Sequence, residues 1–351
     1  MSMRVFALAG FLVAAVVSMG ETIAPKVVIV AMFEPGKDSG DVPGEFQFWV
    51  ERLKLDKVYA LPSAYHDVRS NADGSVIGIV TGVGNTRAAA TIMALGSDAR
   101  FDLSKSYWLV AGIAGIDPAD ASLGSAAWAE WIVNGDLGHE IDPREIPADW
   151  PTGYVPLRKG KPYEQPHATD DTSEVFHLDP ALVNWAYELT KNTPLKDSDA
   201  LKARRALYVG FPNAQRPPFV LKGDTLSSET YWHGKLMNEW ANRWVDYHTE
   251  GKGHYVTTAM EDIGTYQSLS WLTRAGKADV RRLLVLRTAS NFDMQWPAVS
   301  ASESMFGEKI AHYSGYVPSL EAAFQVGNQV VQAILTDWEK FKMEPPGAKQ
   351  P

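Results

Sequence analysis

The sequence predicts an α/β fold of three layers, a mixed and largely parallel central sheet flanked by helices, and three observations carry that expectation. Short apolar runs rich in β-branched residues recur from Lys26 onward, segments of helical periodicity alternate with them, and glycine-rich turns follow several of the runs. Runs that are apolar throughout suit strands covered on both faces, because neither side of such a sheet meets water.

Residues 26–33 (KVVIVAMF), bounded by Pro25 and by Pro35-Gly36, read as the first core strand. Residues 75–81 (SVIGIVT) read as the next. Gly82-Val83-Gly84-Asn85 then leads into a helix over residues 86–95 that stops at Gly96. Residues 107–111 repeat the scheme, with Gly112-Ile113-Ala114-Gly115 as their turn, and residues 126–133 (AAWAEWIV) read as one further strand. Residues 137–173, rich in Pro, Gly, Asp and Glu, break the rhythm and are expected to form a long insertion or lid. Later strands are expected at 206–209, 219–221, 254–259 and 283–287. A C-terminal helix follows from the spacing of Leu320, Ala323, Phe324, Gly327, Val331, Ile334, Leu335 and Trp338, with Ser319 placed to cap it.

The chain has 351 residues, 45% hydrophobic and 21% charged, enough for a large core. No linker-like stretch divides it, so residues 21–340 are expected to form a single domain. The formal charge of -9 argues against a surface that tracks nucleic-acid phosphates. Residues 1–20 carry Arg4, an apolar run from Val5 to Val17 and small residues at Ser18 and Gly20. That run is about 13 residues, against the roughly 20 a spanning helix needs, so a cleaved secretory signal peptide and an exported protein, periplasmic or secreted, are expected. The tail, residues 341–351, is expected to be disordered. With no cysteine and no H-E-x-x-H among eight histidines, no metal site is expected. Gly82-x-Gly84 lacks the third glycine of a dinucleotide fingerprint, and no other cofactor is implied.

The residues that can carry chemistry lie near strand ends. In Thr258-Ala259-Met260-Glu261-Asp262-Ile263-Gly264 an apolar strand gives way to a helix. Glu261 there can accept hydrogen bonds from two neighbouring hydroxyls, while Met260 offers an apolar face to a sugar. Gly84 and Gly112 let a ligand approach the backbone closely, although a tight structural turn explains them equally well. In the stretch Gly223 to Gly234, Tyr231 or Trp232 can stack on a heterocyclic base while Ser227 or Asp224 meets its edge. Aromatics near a helix start also serve the core. Asn291 and Asp293 can hydrogen-bond a purine N7, with an Asx turn as the competing reading. Glu34 closes the first strand and can orient a water.

In this order the stations resemble the nucleoside phosphorylase fold, and residues 26–338 look like the purine nucleoside permease family that shares it. The most specific features are Gly223-Asp224-x-x-Ser227-x-Glu229-x-Tyr231-Trp232-His233-Gly234, the Met260-Glu261 pair and Arg287-Thr288-Ala289-Ser290-Asn291. The resemblance implies Glu261 on the ribose, Met260 on the sugar, Tyr231 stacked on the base with Ser227 in the matching stretch, and Glu34 near the water-activating acid of the nucleosidases. Two positions depart from the related enzymes. Asn291 stands where an aspartate protonates the purine, and an amide cannot give up a proton. Val110 stands where an arginine grips phosphate, and Ile113 where a hydroxyl would help, with Arg87 and Arg287 as the remaining cations. The resemblance therefore implies purine nucleoside binding in support of uptake; the alternative is cleavage of purine nucleosides by an N-ribosyl hydrolase or a phosphorylase, with hydrolysis ahead of phosphorolysis. By analogy it also implies a membrane transport partner and a homo-oligomer.

Overall fold

The computed structural model describes residues 22–165, 174–307 and 314–347, so the expected signal peptide and the last four residues lie outside the described residues. The first half builds the sheet centre. β1 (Val27–Ala31) is buried along its whole length and leads by a loop to α1 (Gln47–Leu53). The short β2 (Lys57–Tyr59) and β3 (Val68–Ser70) form one edge, β4 (Val76–Val80) runs into α2 (Asn85–Ser97), and β5 (Tyr107–Ile116) follows. β1 pairs in parallel with β4 on one side and β5 on the other.

The second half extends the sheet past β5. It contains β6 (Ala126–Ala129), β7 (Trp131–Asn134), the separate two-stranded β8 (Gly138–Glu140) and β9 (Tyr154–Pro156), and β10 (Val175–His177). Next come α3 (Pro180–Thr190), capped by Asp179, and α4 (Asp199–Ala206), capped by Ser198. β11 (Val220–Lys222), β12 (Asp224–Ser227), α5 (Lys235–His248), β13 (Tyr255–Ala259) and α6 (Asp262–Arg274) lead to β14 (Leu283–Phe292). Helices α7 (Ala301–Phe306), α8 (Tyr316–Thr336) and α9 (Trp338–Phe341) complete the chain. One large mixed sheet results, with β14 parallel to β5 and β13 antiparallel to the far end of β5. This is the mixed, helix-flanked sheet expected from the sequence. Among the described residues no helix is long and apolar enough to cross a membrane.

Several boundaries differ from expectation for identifiable reasons. Gly112-Ile113-Ala114-Gly115 is strand, because β14 pairs with it from Arg287↔Gly112 to Phe292↔Ile116 while β13 pairs Gly115 and Ile116 from the other side. Ladder hydrogen bonds on both sides override the turn preference of the glycines. For the same reason β14 runs to Phe292, so Asn291 lies within a strand, beside a register shift, and not after it. Residues 126–133 split at Glu130, whose N–H, with that of Trp131, donates to the Asp224 carboxylate at 3.0 and 2.8 Å.

Residues 206–209 are the end of α4 and a turn, held by the Tyr208 hydroxyl on the Met294 carbonyl at 2.8 Å. Ser319 lies inside α8 and donates to the Tyr316 carbonyl; the cap position belongs to Gly315, where a Cβ would sit 2.4 Å from the Ser290 carbonyl oxygen. Residues 137–165 hold the β8–β9 pair, and residues 166–173 of the expected insertion are outside the described residues. The expected tail begins within packed structure: the Phe341 carbonyl accepts from the Tyr107 hydroxyl and from Arg282 Nη1 at 2.8 and 2.7 Å.

Candidate functional site

A cavity of about 310 Å³ opens where the carboxyl ends of β1, β4, β5, β13 and β14 converge. Such strand ends are where open α/β sheets gather ligands, and the volume falls within the roughly 300–1,000 Å³ of small-molecule sites. Its wall is mostly apolar. Phe33, Val83, Ile113 and Met260 line it, Tyr231 stands at its lip, and its polar groups are Glu45, Thr258, Glu261, Ser290 and Asn291.

Glu261 sits between β13 and α6 and is only 5% exposed. Arg287 Nη2 donates to its Oε2 at 2.9 Å, and the N–H of Gly84 donates to its Oε1 at 3.3 Å. The Arg287 guanidinium is spread further: Nε and Nη2 bond Asp262, and Nη1 donates to the Ile113 carbonyl. Burial raises the Glu261 pKa, opposed by the charge of Arg287. The carboxylate is therefore fixed in orientation and faces the cavity. Gly84 takes part by holding Glu261; its own φ of +102 and a Cβ that would meet Glu229 Oε2 at 2.3 Å demand glycine. Gly112 is likewise indirect. A Cβ there would lie 2.0 Å from Met32 Cε and 2.6 Å from Arg287 Nη1, so glycine leaves room for the arginine.

The two acids of the β1–α1 loop divide their work. Glu34 accepts the N–H groups of Gly44, Phe46 and Gln47 at 2.9, 2.7 and 3.0 Å, closing the loop onto the start of α1. It does not line the cavity. Glu45, held by the N–H groups of Met32, Phe33 and Ile113 at 2.7 to 2.9 Å, does. Burial pushes both carboxyls up to about 7. Glu45 was not legible among the strand-end residues because it comes from the end of a loop that folds back onto them. The signal for it was an acid directly ahead of the aromatic helix start Phe46-Gln47-Phe48-Trp49.

The structure brings Met260, Glu261, Tyr231 and Asn291 to one wall and places four other candidates elsewhere. Trp232 packs edge-on to Trp240 at 6.0 Å, away from this cavity. Ser227 Oγ accepts the Asp262 N–H at the start of α6 and donates to Asn85. Asp224 holds the break between β6 and β7 and also accepts the His254 N–H at 2.7 Å. Asp293 points away into the protein, where it accepts from the Tyr255 hydroxyl at 2.5 Å and from Asn238 at 3.2 Å; burial and the Asp117 charge push its carboxyl up to about 8. The phosphate candidates are also occupied. Arg87 is exposed and lies over the Tyr65 ring, 5.5 Å from its centroid, while Arg287 is taken up by acids, so among the described residues the cavity wall has no cation to spare.

Residues 24–346 match the family described as purine nucleoside permease. The chain belongs to the purine nucleoside permease family. It is 29% identical over 323 residues to the purine nucleoside permease of Candida albicans, a match covering 90% of this chain and 76% of that protein. Among solved structures it resembles the futalosine hydrolase of Helicobacter pylori, with a TM-score of 0.52 at 13% identity over 88% of this chain and 98% of the other. It also resembles the 5'-methylthioadenosine/S-adenosylhomocysteine nucleosidase of Helicobacter pylori, with a TM-score of 0.53 at 11% identity and 88% and 98% coverage. At these identities the likeness establishes a nucleosidase-type fold for this family member.

Proposed function

We propose that the chain binds a purine nucleoside in this cavity, in support of nucleoside uptake. The ribose diol donates to Glu261, Met260 covers the sugar face, Tyr231 lies against the base and Asn291 meets its edge. The observation that carries the reading is the pinned Glu261, a buried acceptor fixed by Arg287 and Gly84 beside an apolar wall. A diol adds further donors to a carboxylate already held by Arg287 and the Gly84 and Met260 N–H groups. The family name supports nucleoside handling, and in this reading a membrane transport partner completes uptake.

Hydrolysis of the N-ribosyl bond is the second reading, favoured by one observation. Glu45 opens on the cavity with its carboxyl pushed up to about 7, the range in which a side chain can take a proton from water. Incubating the chain with adenosine, inosine or guanosine, with and without phosphate, and assaying free base separates the readings. Binding without release is expected of a capture protein. Any release is expected to be independent of phosphate, because the cavity wall has no cation to spare for it, and phosphate-dependent release would contradict this site reading.

Should hydrolysis occur, its rate is expected to rise with pH through about 7, since Glu45 acts as a base only in its ionised form above its raised pKa. Glu45→Gln is then expected to cost about 10²–10⁴-fold in rate and to abolish that pH step. An unchanged profile in the variant would take Glu45 out of the chemistry.

A further inference from the structure

Beyond Asn291 the cavity continues into a narrow recess, since Tyr231, Ser290 and Asn291 line both spaces. The recess is bounded beyond them by His233, Arg204 and Tyr208. None of these three enters the ribose contacts, and the position of the recess past Asn291 makes it the end where a base edge arrives.

Its polar groups offer hydrogen-bond donors and positive charge. The Asn291 amide oxygen accepts from Ser290 Oγ at 2.8 Å, and one amide N–H goes to the Phe292 carbonyl at 3.1 Å, which leaves the second N–H for a ligand. Nε2 of His233 is buried and has no hydrogen-bond partner among the described residues. Burial first, then the Arg204 charge, pushes this imidazole down to about 4, so near pH 7 it is neutral with a single N–H, which faces the recess as a donor in the tautomer protonated at Nε2. The Arg204 guanidinium lies over Trp296, 4.2 Å from the ring centroid, and supplies a fixed positive field.

Purines differ at this edge. A 6-oxopurine presents two adjacent acceptors, N7 and O6, whereas a 6-aminopurine presents the N7 acceptor beside an amino donor. A donor-rich, positively charged recess pairs with the first pattern and leaves the amino hydrogens of the second facing like charge. Resting on the nucleoside-binding reading above, we propose that the recess selects 6-oxopurine nucleosides, inosine and guanosine, over adenosine, with His233 as the residue that reads position 6.

Calorimetric titration of the full chain with inosine and adenosine tests the inference, in the wild type and in His233→Phe and Arg204→Met. His233→Phe keeps a ring without a polar atom, and Arg204→Met keeps a long side chain on Trp296. Inosine is expected to bind at least about tenfold tighter than adenosine to the wild type, because an analogue lacking the paired group leaves buried polar atoms unmet. Both variants are expected to shrink that ratio, His233→Phe to about twofold, chiefly by weakening inosine. Equal or tighter binding of adenosine by the wild type, or an unchanged ratio in the variants, overturns the inference while leaving nucleoside binding intact. Binding of neither nucleoside removes the nucleoside reading itself, and this inference with it.

Discussion

Glu261→Gln is expected to weaken purine nucleoside binding by about 10- to 100-fold while changing free-base binding by less than about threefold, as measured by titration with inosine and with hypoxanthine. The size follows from hydrogen bonds to a charged group, worth roughly 1.5–3 kcal/mol each. The selectivity follows from position. Glu261 is anchored by Arg287 and the Gly84 N–H at the sugar side of the cavity, whereas Tyr231, Asn291 and the recess behind them lie on the base side. Glutamine keeps the shape and one acceptor oxygen but replaces the other with a donor, which a ribose hydroxyl meets less well. Equal losses for nucleoside and base would remove Glu261 from the ribose.

The largest effect on stability is expected from Arg287→Met. Arg287 is 1% exposed and bonds Glu261 at 2.9 Å and Asp262 at 2.5 Å, with Glu45 close enough that the charge of Arg287 lowers its pKa. Methionine fills much of the space but leaves these buried acids without their cation, a change that costs about 3–5 kcal/mol. The pH dependence has a defined sign. Burial already raises the pKa values of Glu45 and Glu261, so each takes up a proton more readily in the folded chain than in the unfolded one, and removing the cation raises them further. Their contribution to stability is therefore lost as pH rises through those raised values. The deficit of the variant, measured by urea unfolding, is expected to be larger at pH 8 than at pH 5. A loss under about 1 kcal/mol at pH 8 would mean that the cluster does not depend on its arginine.

Glu261 and Met260 were legible in the sequence because local signals agreed: an apolar strand, a helix start and an acid at their junction. The buried strands from β1 to β5 were legible for a similar reason, since continuous apolar runs admit few other placements. What escaped depended on distant partners. The small residues Gly112 to Gly115 read as a turn, and only pairing with β14 and β13 makes them strand. Glu34 and Glu45 both follow the first strand, and nothing local says which faces the cavity. That is decided by three backbone N–H groups, two from the residues directly after β1 and one from β5. Trp232, Ser227 and Asp224 lay in the right stretch, yet their contacts to Trp240, Asp262 and His254 turn them to structural work. Asp293 lies two residues past Asn291, just beyond β14, and its bonds to the Tyr255 hydroxyl and Asn238 keep its carboxyl out of the cavity wall.

The strand-end cavity is expected to hold a purine nucleoside by its ribose. A crystal structure of the chain with inosine tests it most directly. The ribose 2' and 3' hydroxyls are expected on the Glu261 carboxylate, the sugar against Met260 and the base between Tyr231 and Asn291, its six-position toward His233. Inosine bound elsewhere, such as beside Trp232 and Trp240 next to β8, or bound here with the base on Glu261, would contradict it.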